Sequence, residues 1–422
     1  MSITGDNTAN RPNFVTLSDI EKAHKRVEAF VHRTPLLTST LIDEIATKAV
    51  NEFLKNEQTA NTTTPPNLRI RIAFKSEHLQ KVGAFKMRGA TNAVQTHLER
   101  ISSNESSSFD PSKLWVITHS SGNHAAAVAC AARSVGAKAA VVMPRTAPQV
   151  KKDAVAGYGA KIIECEPTQK AREEAADKLM ETLQKEDNDR IVRFIHPYDE
   201  ELVIAGQGTL AIEMWQQAHA LEQTKRGCSE AQSVANTTRD DGTRWKERDA
   251  KHEPVFDIVI APVGGGGMLS GVSTAIKGKD ERIQVIAAEP KEADDAARTF
   301  QSETLQPAIT PPRTICDGLL TALSPFTYRH IKKNVSTILT ATEDQIKDAL
   351  QLVWTRMKQF IEPSAAVGLA IILHNPEVAK QISKIAQNKT NTTKEPIEIR
   401  IGVVWTGGNV ELANIARLFA NE

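Results

Sequence analysis

The chain has 422 residues, 40% of them hydrophobic and 24% charged, with a formal net charge of +1 at pH 7. That length allows two domains with a buried core, and the near-zero balance offers no electrostatic footprint for nucleic acid or an anionic membrane surface. No run approaches the ~18 apolar residues of a membrane span, residues 1–14 carry no apolar export segment, and Cys130, Cys165, Cys228 and Cys316 form no CxxC pair. The expectation is a cytoplasmic enzyme with reduced thiols.

In chain order, Leu17-Ser-Asp-Ile-Glu-Lys-Ala-His24 predicts a helix capped by Ser18 or Asp19. Residues 51–67, rich in Asn, Thr and Pro, predict a surface loop before the alternating strand Ile70-Arg-Ile-Ala-Phe74. Then comes Lys81-Val-Gly-Ala-Phe-Lys-Met-Arg-Gly-Ala90, where a turn at Gly83 passes into helical periodicity. Lys86 falls at that helix start. The positive end of the helix dipole and the cationic neighbours Lys81 and Arg88 are expected to lower its pKa, as a lysine nucleophile requires.

A polar insert over 102–112 precedes the strand Leu114-Trp-Val-Ile-Thr118. The segment Thr118-His-Ser-Ser-Gly-Asn-His124 then opens an alanine-rich helix. Hydroxyls and backbone N–H groups at such a junction seat a carboxylate, or simply cap the helix. His119 and His124 read as structural histidines. A charged insert is expected over 219–254 and a shorter polar one over 387–394.

The strand Phe256-Asp-Ile-Val-Ile-Ala-Pro-Val263 ends in Gly264, Gly265, Gly266 and Gly267, and Met268 opens a helix. Four successive glycines let backbone N–H groups curl around one anion. The spacing is neither a dinucleotide fingerprint nor a P-loop. Near the C-terminus, the strand Ile401-Gly-Val-Val-Trp405 ends in Thr406-Gly-Gly-Asn409, aiming a hydroxyl at the same strand ends. Short β-branched runs alternating with helical patterns indicate an α/β architecture with largely parallel sheets.

A reactive lysine, a phosphate cradle, a carboxylate seat and a terminal hydroxyl together suit pyridoxal phosphate. The chain resembles the fold-type II pyridoxal-phosphate enzymes (tryptophan synthase β-like), specifically the serine racemase and serine/threonine dehydratase family. The stretches that carry the resemblance are Phe74-Lys-Ser-Glu-His-Leu-Gln80, Gly83-Ala-Phe-Lys-Met-Arg-Gly89, Ser120-Ser-Gly-Asn-His124, Val203-Ile-Ala-Gly-Gln-Gly-Thr209, Gly264-Gly-Gly-Gly-Met268, Ile361-Glu-Pro363 and Thr406-Gly-Gly-Asn409.

The resemblance implies two open, twisted, mostly parallel sheets with helices on both faces. It implies a large unit over 1–114 and 200–422, a small mobile one over 115–199, and a homodimer. Phe85 and Lys86 would lie against the cofactor, with Lys86 holding it covalently and moving the Cα proton on one face. Ser121 would serve the opposite face. Gly264, Gly265, Gly266, Gly267 and Met268 would hold the phosphate, Asn123 the 3′-oxygen and Thr406 the pyridine nitrogen. Ser120, Ser121, Gly122, Asn123 and Arg172 would bind substrate. Glu289, Asp295 and the Ala293 carbonyl would hold Mg2+ or Ca2+, for which hard oxygen ligands suit.

Four departures matter. Thr406 replaces the usual serine, Tyr198 stands where animal racemases have asparagine, and Thr321 replaces a serine near the substrate. Ala125 and Ala126 replace the Gly-Gln that helps hold ATP in animal racemases, which puts ATP activation in question. The implied reaction is dehydration and deamination of L-serine or L-threonine to keto acid and ammonia, with racemisation as a second outcome. A pure racemase and a threo-3-hydroxyaspartate ammonia-lyase are the near alternatives. A non-catalytic cofactor-binding homologue and a β-replacement enzyme are the readings of a different kind.

Overall fold

A computed structural model describes residues 12–57, 67–104, 109–120, 122–225, 254–389, 396–411 and 418–419. Among the described residues ten strands form two sheets. They are β1 (Leu36–Thr38), β2 (Leu68–Ser76), β3 (Leu114–His119), β4 (Lys138–Pro144), β5 (Lys161–Cys165), β6 (Ile191–Phe194), β7 (Ile258–Pro262), β8 (Gln284–Pro290), β9 (Thr337–Ala341) and β10 (Ile397–Trp405). The six-stranded sheet runs β1-β2-β10-β7-β8-β9 and the four-stranded sheet β5-β4-β3-β6. Every pairing is parallel except β1 with β2. The four strands of the smaller sheet fall in sequence between β2 and β7.

The period-2 geometry of a strand sorts the apolar residues onto two faces. Ile258 and Ile260 of β7 and Ile286 and Ala288 of β8 pack into one core, while Val259, Ala261, Val285 and Ala287 pack into the core behind the sheet. The smaller sheet repeats the pattern, with Ala139, Val141 and Met143 on one side and Ala140 and Val142 on the other. Burial on both faces explains why these strands read as continuous apolar runs. The helix Pro363–His374 is apolar all round and buried over residues 363–373, running under the larger sheet with proline at its first turn. Trp405 at the end of β10 stacks on Phe74 of β2, ring centroids 4.3 Å apart.

Several boundaries differ from the sequence expectations. The first helix, Leu17–Val27, is capped by Thr16, not by Ser18 or Asp19. Asp19 is the far half of a capping box, its carboxylate accepting from Thr16 N at 2.9 Å. The helix Thr40–Glu57 takes the first residues of the expected 51–67 loop because Leu54 is drawn into the core. Helices Lys86–Asn104, Glu201–Lys225 and Pro376–Asn388 likewise run into the other three expected inserts. Of the four inserts, residues 58–66, 105–108, 226–253 and 390–394 lie outside the described residues, and Pro111–Lys113 forms a 3-10 turn. Among the described residues no helix is long and apolar enough to cross a membrane.

Candidate active site

The strand ends converge on one cleft. After β2 the chain makes two short 3-10 turns, extends at Ala84 to bridge Gly407, and donates Phe85 N–H to Thr406 O at 3.0 Å. The helix begins at Lys86. Lys86 is half-buried as a residue with its amine end enclosed, and Nζ donates to Pro197 O at 2.7 Å. Burial pushes its pKa down to about 8. The cause differs from the one expected. Arg88 faces the opposite side of the helix, in a buried ion-pair network, and Lys81 Nζ donates to Phe30 O at 2.6 Å.

The glycine loop sits beside that lysine through residues 197 and 198. A β-carbon at Gly265 would meet the Tyr198 ring at 2.6 Å, and one at Gly267 would meet Tyr198 O at 2.7 Å. On the other walls, a β-carbon at Gly264 would lie 3.1 Å from Leu319 Cα, and one at Gly266 2.7 Å from Leu323. Only glycines fit a backbone so closely walled, and Gly266 also needs its positive φ of 85°. The helix Gly267–Lys279 starts there with no side-chain cap, so its first N–H groups face the loop. Met268 is buried in its first turn.

A second set of contacts joins Thr406 to the loop after β3. Glu362, buried at the N-cap of the central helix, accepts from Thr406 Oγ1 at 3.4 Å, Asn409 N at 3.2 Å and Asn123 Nδ2 at 3.4 Å. Burial, reinforced by nearby Asp317, pushes its carboxyl up to about 7, against the pull of Asn123 and the Asn409 N–H. Asn409 Nδ2 also donates to Asn123 Oδ1 at 2.8 Å. The helix Asn123–Ser134 has Gly122 at its N-cap and no side-chain cap, so the 120–123 turn presents an open helix end. Ser120 Oγ accepts from Gly122 N at 3.2 Å. Ser121 lies outside the described residues.

Arg172, on the helix Gln169–Glu186, is half-buried; its Nε is shielded with no hydrogen-bond partner among the described residues. Its charge acts on His119 and Tyr198, so it lies within electrostatic reach of both. Burial pushes Tyr198 up to about 12. His124 is buried with Nε2 3.3 Å from Ile195 O and Nδ1 without a hydrogen-bond partner among the described residues, and burial holds both it and His119 below the usual histidine range.

Near the end of β8, Glu289 accepts from Ala296 N at 2.9 Å and Ala297 N at 2.8 Å, and burial pushes its carboxyl up to about 9. Burial also raises Asp295, to about 6, and its Oδ2 is buried without a hydrogen-bond partner among the described residues. Ala293 is buried between them in sequence. Among the described residues no set of three His, Cys, Asp or Glu groups gathers to hold an ion.

Fold and site together give an α/β chain with an enclosed lysine amine beside a crowded glycine loop at a helix start. The family described as pyridoxal-phosphate dependent enzyme matches residues 32–386, and the chain belongs to it. It is 37% identical over 408 residues to the serine racemase of Dictyostelium discoideum, covering 96% of this chain and 98% of that one. It is 36% identical over 399 residues to the beta-hydroxyaspartate dehydratase of Paracoccus denitrificans (strain Pd 1222), covering 94% and 97%. The solved serine racemase of maize superposes with a TM-score of 0.69 and 30% identity, over 96% of each chain. The two-sheet architecture is that of the fold-type II enzymes. The crowded glycine cradle, the uncapped helix and the enclosed amine fit the phosphate and aldehyde of the cofactor.

The motifs Ile361-Glu-Pro363 and Thr406-Gly-Gly-Asn409 are visible in the sequence, but sequence reasoning gave Glu362 and Asn409 no role. A carboxylate just before a proline that opens a wholly apolar helix was the available signal, because such a charge is buried by construction. Nothing in the sequence marked the Pro197 carbonyl.

Proposed function

We propose that the protein eliminates the β-hydroxyl of hydroxy amino acids such as L-serine and L-threonine, giving keto acid and ammonia, with serine racemisation as a second outcome of the same site. The observation that carries this reading is the burial of Lys86 beside the glycine cradle, since an amine with a pKa near 8 is partly neutral at physiological pH. Pyridoxal phosphate, when bound, supplies an electron sink that acidifies the Cα–H bond and lets a β-substituent leave.

The chain's residues supply the rest. Gly264, Gly265, Gly266, Gly267 and Met268 with the uncapped helix hold the phosphate, Asn123 the 3′-oxygen and Thr406 the ring nitrogen, with Phe85 against the cofactor. Lys86 moves the Cα proton on one face, and Ser121 serves the other. Ser120, Gly122 and Asn123 seat the substrate carboxylate at the open helix end. The division into 1–114 with 200–422 and 115–199, with 219–254 as a surface excursion, would let the two units close over substrate and exclude water.

Arg172 favours a second reading within the chemistry. An arginine within electrostatic reach of Tyr198 suits an acidic side chain, so threo-3-hydroxyaspartate is the alternative substrate, in line with the Paracoccus relative. Glu289, Asp295 and the Ala293 carbonyl are the proposed Mg2+ or Ca2+ ligands, supported by two buried carboxyls that are both raised, the charge of Asp295 acting on Glu289, with Asp295 Oδ2 unpartnered among the described residues. A cytoplasmic homodimer is the expected form, and Ala126 speaks against an ATP requirement. The test is a product assay on cofactor-loaded enzyme with magnesium, offering L-serine, D-serine, L-threonine and L-threo-3-hydroxyaspartate separately. Keto acid from any of them supports elimination, accumulation of the opposite enantiomer supports racemisation, and no product from all four overturns the reading.

A further inference from the structure

The backbone just before Lys86 is strained. Val82 has φ +58° and ψ +11°, a left-handed conformation that a β-branched residue rarely takes. Gly83 follows in the same region at φ +69°, and the chain then extends at Ala84 to reach Lys86. This left-handed pair therefore sets the direction from which Lys86 enters its helix. The Val82 side chain is half-buried at the margin of the core around the smaller sheet and does not dictate such a turn.

Hydrogen bonds hold it instead. Gly83 N donates to Gln80 O at 2.9 Å, and Gly408 N donates to Gly83 O at 3.0 Å. Asn409 Nδ2 donates to Val82 O at 2.7 Å and also to Asn123 Oδ1 at 2.8 Å. A β-carbon at Gly83 would come within 2.6 Å of Asn409 Oδ1, so the turn is shaped around that amide. Of these contacts only the asparagine's is made by a side chain, and so only it is removable by substitution.

We propose that Asn409 is a positioning residue for Lys86: its amide clamps the strained turn at Val82 and Gly83 and ties that turn to Asn123. The inference rests on the reading of Lys86 as the cofactor-bearing lysine. The cost of a left-handed β-branched residue is of the same order as the contribution of one neutral hydrogen bond. Losing the amide therefore lets the turn relax to negative φ and carries Lys86 out of its enclosure.

The test uses wild type, Asn409→Ala, Val82→Gly and the double variant, each stripped of cofactor. The readouts are thermal midpoint and the rate at which added pyridoxal phosphate develops its bound visible absorbance, followed between about pH 6 and 9. Asn409→Ala is expected to slow uptake by about tenfold to a hundredfold and to move its pH profile upward, because an amine freed from burial returns towards the usual lysine range. Glycine takes positive φ at no steric cost, so the double variant should take up cofactor within about threefold of Val82→Gly alone. Val82→Thr keeps the branched β-carbon and should not rescue. If the alanine variant does not fold, Asn409→Ser, too short to reach both oxygens, gives the same comparison. Equal slowing in the valine and glycine backgrounds overturns the proposal, and so does no slowing at all. If wild type itself takes up no cofactor, the reading of Lys86 falls first and the inference with it.

Discussion

Two buried polar clusters lie on opposite sides of the first turn of the Lys86–Asn104 helix, built on opposite plans. On one side, Arg88 meets Glu77 through Nε at 2.8 Å and Nη2 at 2.9 Å, and meets Glu213 through Nη1 and Nη2, both at 2.8 Å. Lys75 Nζ adds Glu213 Oε2 at 2.6 Å and Thr34 O at 2.7 Å. Two cations face two carboxylates, and each is bonded. On the other side, among the described residues, Lys86 Nζ donates to the Pro197 carbonyl and Glu362 is hydrogen-bonded by neutral donors, with the Lys151 charge acting on it from beyond ion-pair distance. Neutralised charge marks the structural cluster. Burial lowers Lys75 to about 8 just as it does Lys86, so the paired carboxylates, and not the shifted amine, separate the two clusters.

Substitutions should separate the two sides. Lys86→Ala should lower turnover by about 10^2- to 10^4-fold and leave thermal stability unchanged or higher, as an enclosed amine is removed. A variant that is inactive and also unfolded would erase the distinction. Glu213→Ala should do the reverse, costing about 3–5 kcal/mol because Arg88 and Lys75 are left buried without that partner. Chemical denaturation measures this, and a loss under about 1 kcal/mol would show the network to be solvated.

Glu362→Gln tests the site side through pH. The carboxyl titrates near 7 in the folded chain against 4.5 ordinarily, so the folded state holds an extra proton between those values. Its contribution to stability is full below about pH 4.5 and is lost as pH rises through 7. The thermal midpoint of the glutamine variant relative to wild type should therefore climb across that window and level off above it. A difference that does not vary with pH would place the carboxyl in water.

The smallest effect concerns cations. Glu289, raised to about 9, must lose its proton to bind one. Magnesium should raise the thermal midpoint more at pH 8.5 than at pH 6, with a ceiling near 2.7 kcal/mol at a hundredfold excess over Kd. No shift at either pH would leave Glu289 as a helix cap.

How much of this was legible in the sequence depends on whether a feature is local. The four glycines and the lysine at a helix start were readable because strand, turn and helix signals there sit within a few residues. The assignment of Arg88 as a neighbour acting on Lys86 failed on geometry that the helix already dictates, since positions i and i+2 lie ~200° apart. Glu362 acquires its meaning only when Asn123, Thr406 and Asn409 arrive from three other parts of the chain. The overlooked strands β1, β6 and β9 are each five residues or fewer, and they become strands through pairing at sheet edges. Helix ends were placed too early because Asn, Lys and Glu read as loop, whereas buried Leu54 holds the turn that contains them.

The position of β10 has a consequence for biosynthesis. That strand lies between β2 and β7 and pairs Ile397 with Leu68 and Ile401 with Ile258. A ribosome emitting this chain releases the whole smaller sheet, and Lys86, long before the strand that joins β2 to β7. The larger sheet cannot close, and Thr406 cannot meet Phe85, until β10 emerges. Such long-range pairing slows folding. It also means that Phe85 and Thr406, which flank Lys86, come together only after β10 has been made.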